Sequence, residues 1–236
     1  MADLSFLAET GTVARIDRAY EAASKPRAHL GLSAAGDPCA RKIWYMHHGH
    51  VGEQPFGRVL RLFSLGNAIE DEIIAGLRLA GCIVTDQQKE VRFTQDGVEL
   101  LGHIDGIVSG LEESSKPHLF EAKSASNKRF KELQKHGDYR KFSEAYFWQV
   151  NFYMLGLGLK RAAAFVYNKD TSELMMVRVR IDREATIEKL QQIFETITGE
   201  LPERICPKEE YYKARFCNYR ELCFHGAAPA LEHWGW

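Results

Sequence analysis

Apolar residues recur at helical spacing between positions 58 and 80, where Val59, Leu60, Phe63, Ile69, Ile73, Ile74 and Leu77 trace a stripe and Gly81 supplies a stop. The spacing predicts a long amphipathic helix. After it the period shortens to two: residues 82–85, 89–94 and 98–108 read as strands, with Gln95-Asp96-Gly97 as the turn between the second and third. Residues 118–124 read as a strand beyond the polar loop 110–117. Helical segments are predicted in 127–138 and 142–157, strands in 162–167 and 174–181 around the turn 168–172, and a last amphipathic helix over 183–198. Upstream, 14–25 reads as a short helix closed by Pro26, and 28–56 as loop-rich with one helical piece around 41–47. With no repeat and no long linker, this order predicts one α/β domain over 1–236, a mixed central sheet flanked by helices.

Composition narrows the function classes. Thirty-one Lys and Arg against 32 Asp and Glu exclude a globally basic coat, so a polyanion has to be met by a local patch. No run of about 18 apolar residues is present, and the opening residues lack a basic stretch followed by an apolar one. These features predict a soluble, cytoplasmic protein with no membrane partner. Of five cysteines, Cys39 and Cys82 lie upstream while Cys206, Cys217 and Cys223 crowd the C-terminus. In a reducing compartment such crowding points to metal ligands before disulfides.

Candidate chemistry centres on Gly102-His103-Ile104-Asp105-Gly106 and Phe120-Glu121-Ala122-Lys123. Strand alternation sets Glu121 and Lys123 on one face and Phe120 and Ala122 on the other, toward the core. Asp105 and Glu121 lie symmetrically about position 113, so a regular hairpin makes them cross-strand neighbours. Converging carboxylates repel unless a cation sits between them, and hard oxygen donors suit Mg²⁺ or Mn²⁺. His103 falls on the face of Asp105 by the same alternation. Without a metal, the pattern is an ordinary salt bridge on a half-exposed sheet.

The Asp-x15-Glu-x-Lys arrangement resembles the PD-(D/E)XK nuclease signature, and its flanks resemble the RecB-type branch. There an acidic residue sits in a G-x-x-D-G-like segment, a Gln-x-x-x-Tyr helix follows, here Gln149 to Tyr153, and a Gly-x-x-x-His or Glu helix precedes, here Gly66 to Glu70. The resemblance implies a restriction-endonuclease-like core with Asp105, Glu121, Lys123, Gln149 and Tyr153 as catalytic residues. It implies Glu70, Asp105 and Glu121 as ligands of Mg²⁺ or Mn²⁺, with Gly66 allowing the helix close to the sheet. Lys128, Arg129, Lys131, Lys135, Arg140 and Lys141, interleaved with Phe130, Tyr139 and Phe142, form a candidate DNA track with stacking side chains, Lys128, Arg129, Lys131 and Arg140 foremost. A solvated helix face is the alternative.

The segment from Leu32 to Tyr45, with Asp37-Pro38-Cys39, resembles the opening of the iron–sulphur exonuclease branch, which includes the CRISPR-adaptation nuclease and phage relatives. That resemblance implies a [4Fe–4S] cluster on Cys39, Cys206, Cys217 and Cys223, clamping residues 30–56 to 202–225. Ala214 stands where the family's usual spacing has a cysteine. Zinc on Cys39, Cys217, Cys223 and His225, or no metal at all, stays open, and Cys82 reads as a core thiol. The function so implied is a metal-dependent deoxyribonuclease cutting from DNA ends. A DNA-binding or assembly subunit with a vestigial site, and an endonuclease on the same core, are the alternatives. With no G-x-x-x-x-G-K-[ST] in the sequence, unwinding falls to a helicase or a recombination or adaptation partner, unless the DNA is already linear and open or single-stranded.

Overall fold

A computed structural model describes residues 10–25 and 29–226 of the chain, so Pro26, the predicted stop of the first helix, lies outside the described residues. In chain order the elements are α1 (Thr12–Ala23), α2 (Leu32–Ala35), α3 (Ala40–His47), α4 (Gly57–Leu79), β1 (Ile83–Thr85), β2 (Glu90–Gln95), β3 (Val98–His103), β4 (Gly106–Ser109) and β5 (His118–Ala125). They continue with α5 (Asn127–His136), α6 (Tyr139–Phe142), α7 (Glu144–Leu157), β6 (Arg161–Asn168), β7 (Leu174–Arg180), α8 (Arg183–Thr198), α9 (Tyr212–Arg215) and α10 (Arg220–His225). Two compact units result. The larger holds Leu30–Trp44 and Gly66–Pro202, and the smaller gathers Tyr45–Leu65 with the described parts of Met1–His29 and Glu203–Trp236.

The larger unit is built on a five-stranded mixed sheet of order β1-β4-β5-β6-β7, antiparallel except for the parallel pair β5–β6. Parallel neighbours need a crossover, and α5, α6 and α7 supply it. The predicted helical stripe is the buried one: Ile69, Ile73, Ile74 and Leu77 of α4 pack on Val84, Val108, Phe120, Ala163 and Phe165. Each such side chain contributes about 1.5–3 kcal/mol when fully buried. Helix α7 is buried from Trp148 through Met154. Its start is capped by Ser143, whose Oγ accepts from the Tyr146 N–H at 3.3 Å, and its end by Gly158 at φ +67°.

The predicted strand 98–108 is two strands. β3 pairs with β2 in a separate two-stranded sheet, and β4 pairs with β1 and β5. The change of sheet falls at Ile104 and Asp105. Ile104 still exchanges backbone hydrogen bonds with the β2 side, through Lys89 O at 3.1 Å and Gln88 N at 2.9 Å. One residue later the Asp105 side chain, Oδ2, accepts the Ala122 N–H of β5 at 2.8 Å. Helices α2, α9 and α10 have no counterpart in the predicted elements, because segments this short carry too few turns for a periodic signal.

In the smaller unit, α1 is tied to the first turns of α4. The Gly57 N–H donates to Glu21 Oε1 at 2.6 Å, and Arg61 pairs with Asp17. Residues 50–53 are tied to the C-terminal segment: Glu53 N–H donates to Asn218 O at 2.5 Å, and Tyr219 Oη donates to His50 O at 3.1 Å. Among the described residues no helix is long and apolar enough to cross a membrane.

Two glycines test the packing. A Cβ on Gly102 of β3 would lie 2.8 Å from both Leu32 Cβ and Tyr153 Oη, whereas a Cβ on Gly66 would meet nothing within 4 Å. The close approach expected at Gly66 is therefore made at Gly102. Gly102→Ala should cost about 1–3 kcal/mol in urea denaturation, as overpacking does. Gly66→Ala, in a helix with open space around it, should gain about 0.5–1 kcal/mol.

Candidate active site

The ladder between β4 and β5 pairs Gly106 with Phe120, Ile107 with Leu119 and Val108 with His118. This is the register predicted about position 113, and one step further it sets Asp105 opposite Glu121. Phe120 and Ala122 point into the core against α4, so Glu121 and Lys123 take the other face. Glu121 is fully buried, and the Lys123 ammonium bonds its Oε1. Its second oxygen, Oε2, is buried with no hydrogen-bond partner. Lys123, 18% exposed, also lies 4.9 Å from the centre of the Tyr146 ring.

The electrostatics join Glu70 to this pair. Burial, and then the neighbouring Asp105, push the Glu70 carboxyl up to about 7, against the pull of Lys123. Burial and Asp105 raise Glu121 to about 8. Asp105 is raised by burial, while Lys123 and the Ala122 N–H oppose the shift. For Lys123 burial favours the neutral amine, but Glu121 and Asp105 overcome it and the ammonium is held. Three carboxyls face one ammonium, so their upward shifts belong to the group rather than to one residue.

Helix α7 supplies the next layer. Gln149 and Tyr153 are both buried and stand at i, i+4 on one helix face, and Gln149 opposes the rise of the Tyr153 phenol. Burial raises the Tyr153 phenol, with Glu121 and Asp105 adding to it. The structure thus brings together Glu70, Asp105, Glu121, Lys123, Gln149 and Tyr153. It also brings in two tyrosines with no assigned place in the predicted site. Tyr139 of α6 is buried, its hydroxyl lacks a partner, and its phenol is raised by burial and by Glu121. Tyr146 could have been found, because Tyr146, Gln149 and Tyr153 stand at i, i+3 and i+7 on one helix.

Other expectations need correction. His103 is exposed and does not share a strand face with Asp105, because the chain changes sheets between them. Phe130 and Tyr139, read as stacking side chains, are buried; their apolar bodies anchor α5 and α6. Around them Lys128 is exposed, Lys131 pairs with Glu173 at 2.8 Å, Arg129 lies 4.5 Å over the Phe142 ring, and Arg140 meets Glu144 at 3.7 Å. Cys82 sits half-buried at the rim of the core, its Sγ 3.5 Å from Gly110 O.

Cys39, Cys206, Cys217 and Cys223 are all half-buried, Cys39 in the larger unit and the others in the smaller. Among the described residues, Glu209, Glu221 and His225 bring possible ligand atoms within 4.8 Å of one another, a group containing none of the cysteines. Arg220 pairs with both of these glutamates at 3.3 Å, and His225 Nε2 lies 3.0 Å from Glu209. The Nε2 nitrogen is thus already engaged.

A comparison with curated proteins finds no match. Among solved structures, the protein SSO0001 superposes with a TM-score of 0.51 at 12% identity, over 89% of this chain and 93% of its own. An alkaline exonuclease, LHK-Exo, from Laribacter hongkongensis superposes with a TM-score of 0.50 at 16% identity, over 77% of this chain and 91% of its own. At such identities the likeness is one of fold. The family model described as the PD-(D/E)XK nuclease superfamily matches residues 46–224, most of the chain and all of the sheet that carries Asp105, Glu121 and Lys123, and the chain belongs to that superfamily.

Proposed function

We propose that the protein is a divalent-metal-dependent deoxyribonuclease that degrades DNA from its ends, with Asp105, Glu121, Lys123, Gln149 and Tyr153 as its catalytic residues. The observation that carries this reading is the Glu121 carboxylate, fully buried beside Asp105 with one oxygen paired to Lys123 and the other unsatisfied. The residues fit a hard cation: Glu70, Asp105 and Glu121 offer only oxygen donors, and an orphaned buried oxygen is the kind of ligand atom such an ion takes. Mg²⁺ or Mn²⁺ held there would supply Lewis acidity toward a phosphoryl oxygen and acidify water. Lys123 holds a fixed positive charge for the charge that develops on the phosphate. Gln149 and Tyr153 offer neutral hydrogen bonds that orient water or a phosphate oxygen. Lys128, Arg129, Lys131 and Arg140 would guide the strand. Action from ends is supported by the alkaline exonuclease among the structures of like fold.

The resemblance to the iron–sulphur branch adds a structural role for the cysteines in a reducing cytoplasm. A [4Fe–4S] cluster takes four thiolates, and Cys39, Cys206, Cys217 and Cys223 would supply them.

Three experiments test these readings. Digestion of end-labelled linear DNA should require Mg²⁺ or Mn²⁺ and stop in EDTA, while covalently closed circles are spared; rapid nicking of circles favours the endonuclease instead. Asp105→Asn, Glu121→Gln and Lys123→Ala should each lose at least about 10²–10³-fold in cleavage with DNA binding retained. Full activity of Glu121→Gln sinks the site.

The second experiment uses pH. Glu70 and Glu121 bind protons more tightly folded than unfolded, so the metal-free protein should lose stability as pH rises from about 4.5 to about 8. Tm measured across that window should fall, the fall should flatten in Glu121→Gln, and Mg²⁺ should reverse it.

The third is iron analysis of protein purified without oxygen. About four irons per chain and a brown colour are expected, lost in Cys39→Ala, Cys206→Ala, Cys217→Ala and Cys223→Ala and kept in Cys82→Ala. One zinc, released by His225→Ala, would replace the cluster, and metal-free stable protein would remove it.

A further inference from the structure

Lys123 carries its charge on a flexible four-carbon stem with three N–H donors, so its place on β5 does not by itself fix where the ammonium sits. One donor goes to Glu121 Oε1, and Asp105 and Glu70 add their pull on the same charge. An ammonium drawn only by carboxyls would follow them. A further contact is uncharged: the centre of the Tyr146 ring lies 4.9 Å from Lys123 Nζ. At that distance the negative face of an aromatic ring attracts a cation, and the attraction is stronger where water is largely excluded, as it is around this side chain.

Tyr146 is placed through both its backbone and its ring. Its N–H donates to the Ser143 Oγ cap at the third residue of α7, which fixes where the side chain leaves the helix. Its ring meets Phe142 with centroids 6.2 Å apart, and Phe142 stacks on Tyr139 at 6.0 Å. Tyr139 is buried, and Arg129 lies 4.5 Å over the Phe142 ring while also bonding the Phe142 carbonyl. Packing of α6 on α7 accounts for the contacts among the three rings. It does not account for the last ring facing an ammonium, since an aliphatic side chain at position 146 would fill the same space beside the Lys123 stem.

We propose that Tyr146 is a positioning residue whose ring face holds the Lys123 ammonium where it meets the charge developing on the phosphate, an inference that rests on the nuclease reading above. The ring's quadrupole is fixed, so this anchor is unaltered by the arrival of the strand. A preorganised charge stabilises the transition state without having to move at the moment of reaction. A Lys123 free to swing therefore loses rate rather than affinity for the strand. The acting part of Tyr146 is the ring and not the hydroxyl.

The test is steady-state cleavage of end-labelled linear DNA in Mg²⁺ by the full chain. Tyr146→Leu should lower kcat by about 5–30-fold, as loss of a cation–π contact does, with KM unchanged. Tyr146→Phe keeps the ring face and should restore kcat. In a Lys123→Ala background Tyr146→Leu should cost nothing further, because the two residues act as a unit. A second readout needs no activity: in NMR of protein labelled at the lysine Cε, the Lys123 signal, assigned by its loss in Lys123→Ala, should stand upfield in the ring current. It should stay there in Tyr146→Phe and move to the position of an exposed lysine in Tyr146→Leu. An unchanged Tm shows that Tyr146→Leu is folded, and Tyr146→Met replaces it if Tm falls. If the wild type cuts DNA and Tyr146→Leu keeps its kcat, or Tyr146→Phe loses as much as Tyr146→Leu, the positioning proposal is overturned and the nuclease reading stands. A Lys123 signal that does not move in Tyr146→Leu overturns it as well. A rise in KM with kcat unchanged makes Tyr146 a contact for the strand instead and also overturns it. Wild-type protein that cuts no DNA overturns the nuclease reading, and this inference with it.

Discussion

A carboxylate at the centre of a sheet is expensive, and Glu121 is such a group. Burying an ion costs several kcal/mol even after relaxation, an amount that a folded domain can carry only where partners offset it. Lys123 offsets part of it through one oxygen. The other oxygen has no protein partner, and the nearest charges, Asp105 and Glu70, make matters worse. The arrangement is stable only because the rest of the unit holds it: α4 packed on one face of β5, and α7 buried over the site. With three carboxyls against one ammonium, the stability of the cluster depends on pH.

The change of sheet at Ile104 and Asp105 is the geometric device that makes this possible. Had 98–108 run on as one strand, Asp105 would be a regular rung and its carboxylate would stand off the ladder. Instead the chain leaves β2 at Ile104, and Asp105 caps the Ala122 N–H across the gap. That hydrogen bond fixes the carboxylate beside Glu121. Gly102, pressed against Leu32 and Tyr153, brings the same stretch onto α7. A short glycine-flanked motif thereby locks hairpin, sheet and helix to a common point.

Away from this point the unit carries a second concentration of charge. The arginines of β6 and β7 oppose one another across a ladder, and the imidazole of His118 is buried with a bare nitrogen. Both features cost stability in the isolated chain.

How much was legible beforehand follows from the range of each interaction. The α4 stripe, the hairpin turn at Gln95-Asp96-Gly97, the strands and the α7 helix are local patterns of apolar spacing, and the sequence determined them. The pairing of Asp105 with Glu121 was legible too, because an antiparallel hairpin fixes register by symmetry about its loop. Gln149 and Tyr153 were readable from helical spacing. The split of 98–108 was not, since one continuous apolar alternation satisfies two sheets as well as one until a third strand competes for the hydrogen bonds. Tyr139 and Phe130 looked like surface aromatics among lysines, and only tertiary burial moved them inward. The opposition of Arg161 to Arg180 depends on which strands become neighbours, and the bare nitrogen of His118 on what packs around it. Sequence carries periodicity and local register, whereas burial, electrostatic convergence and unsatisfied groups arise only when distant segments meet.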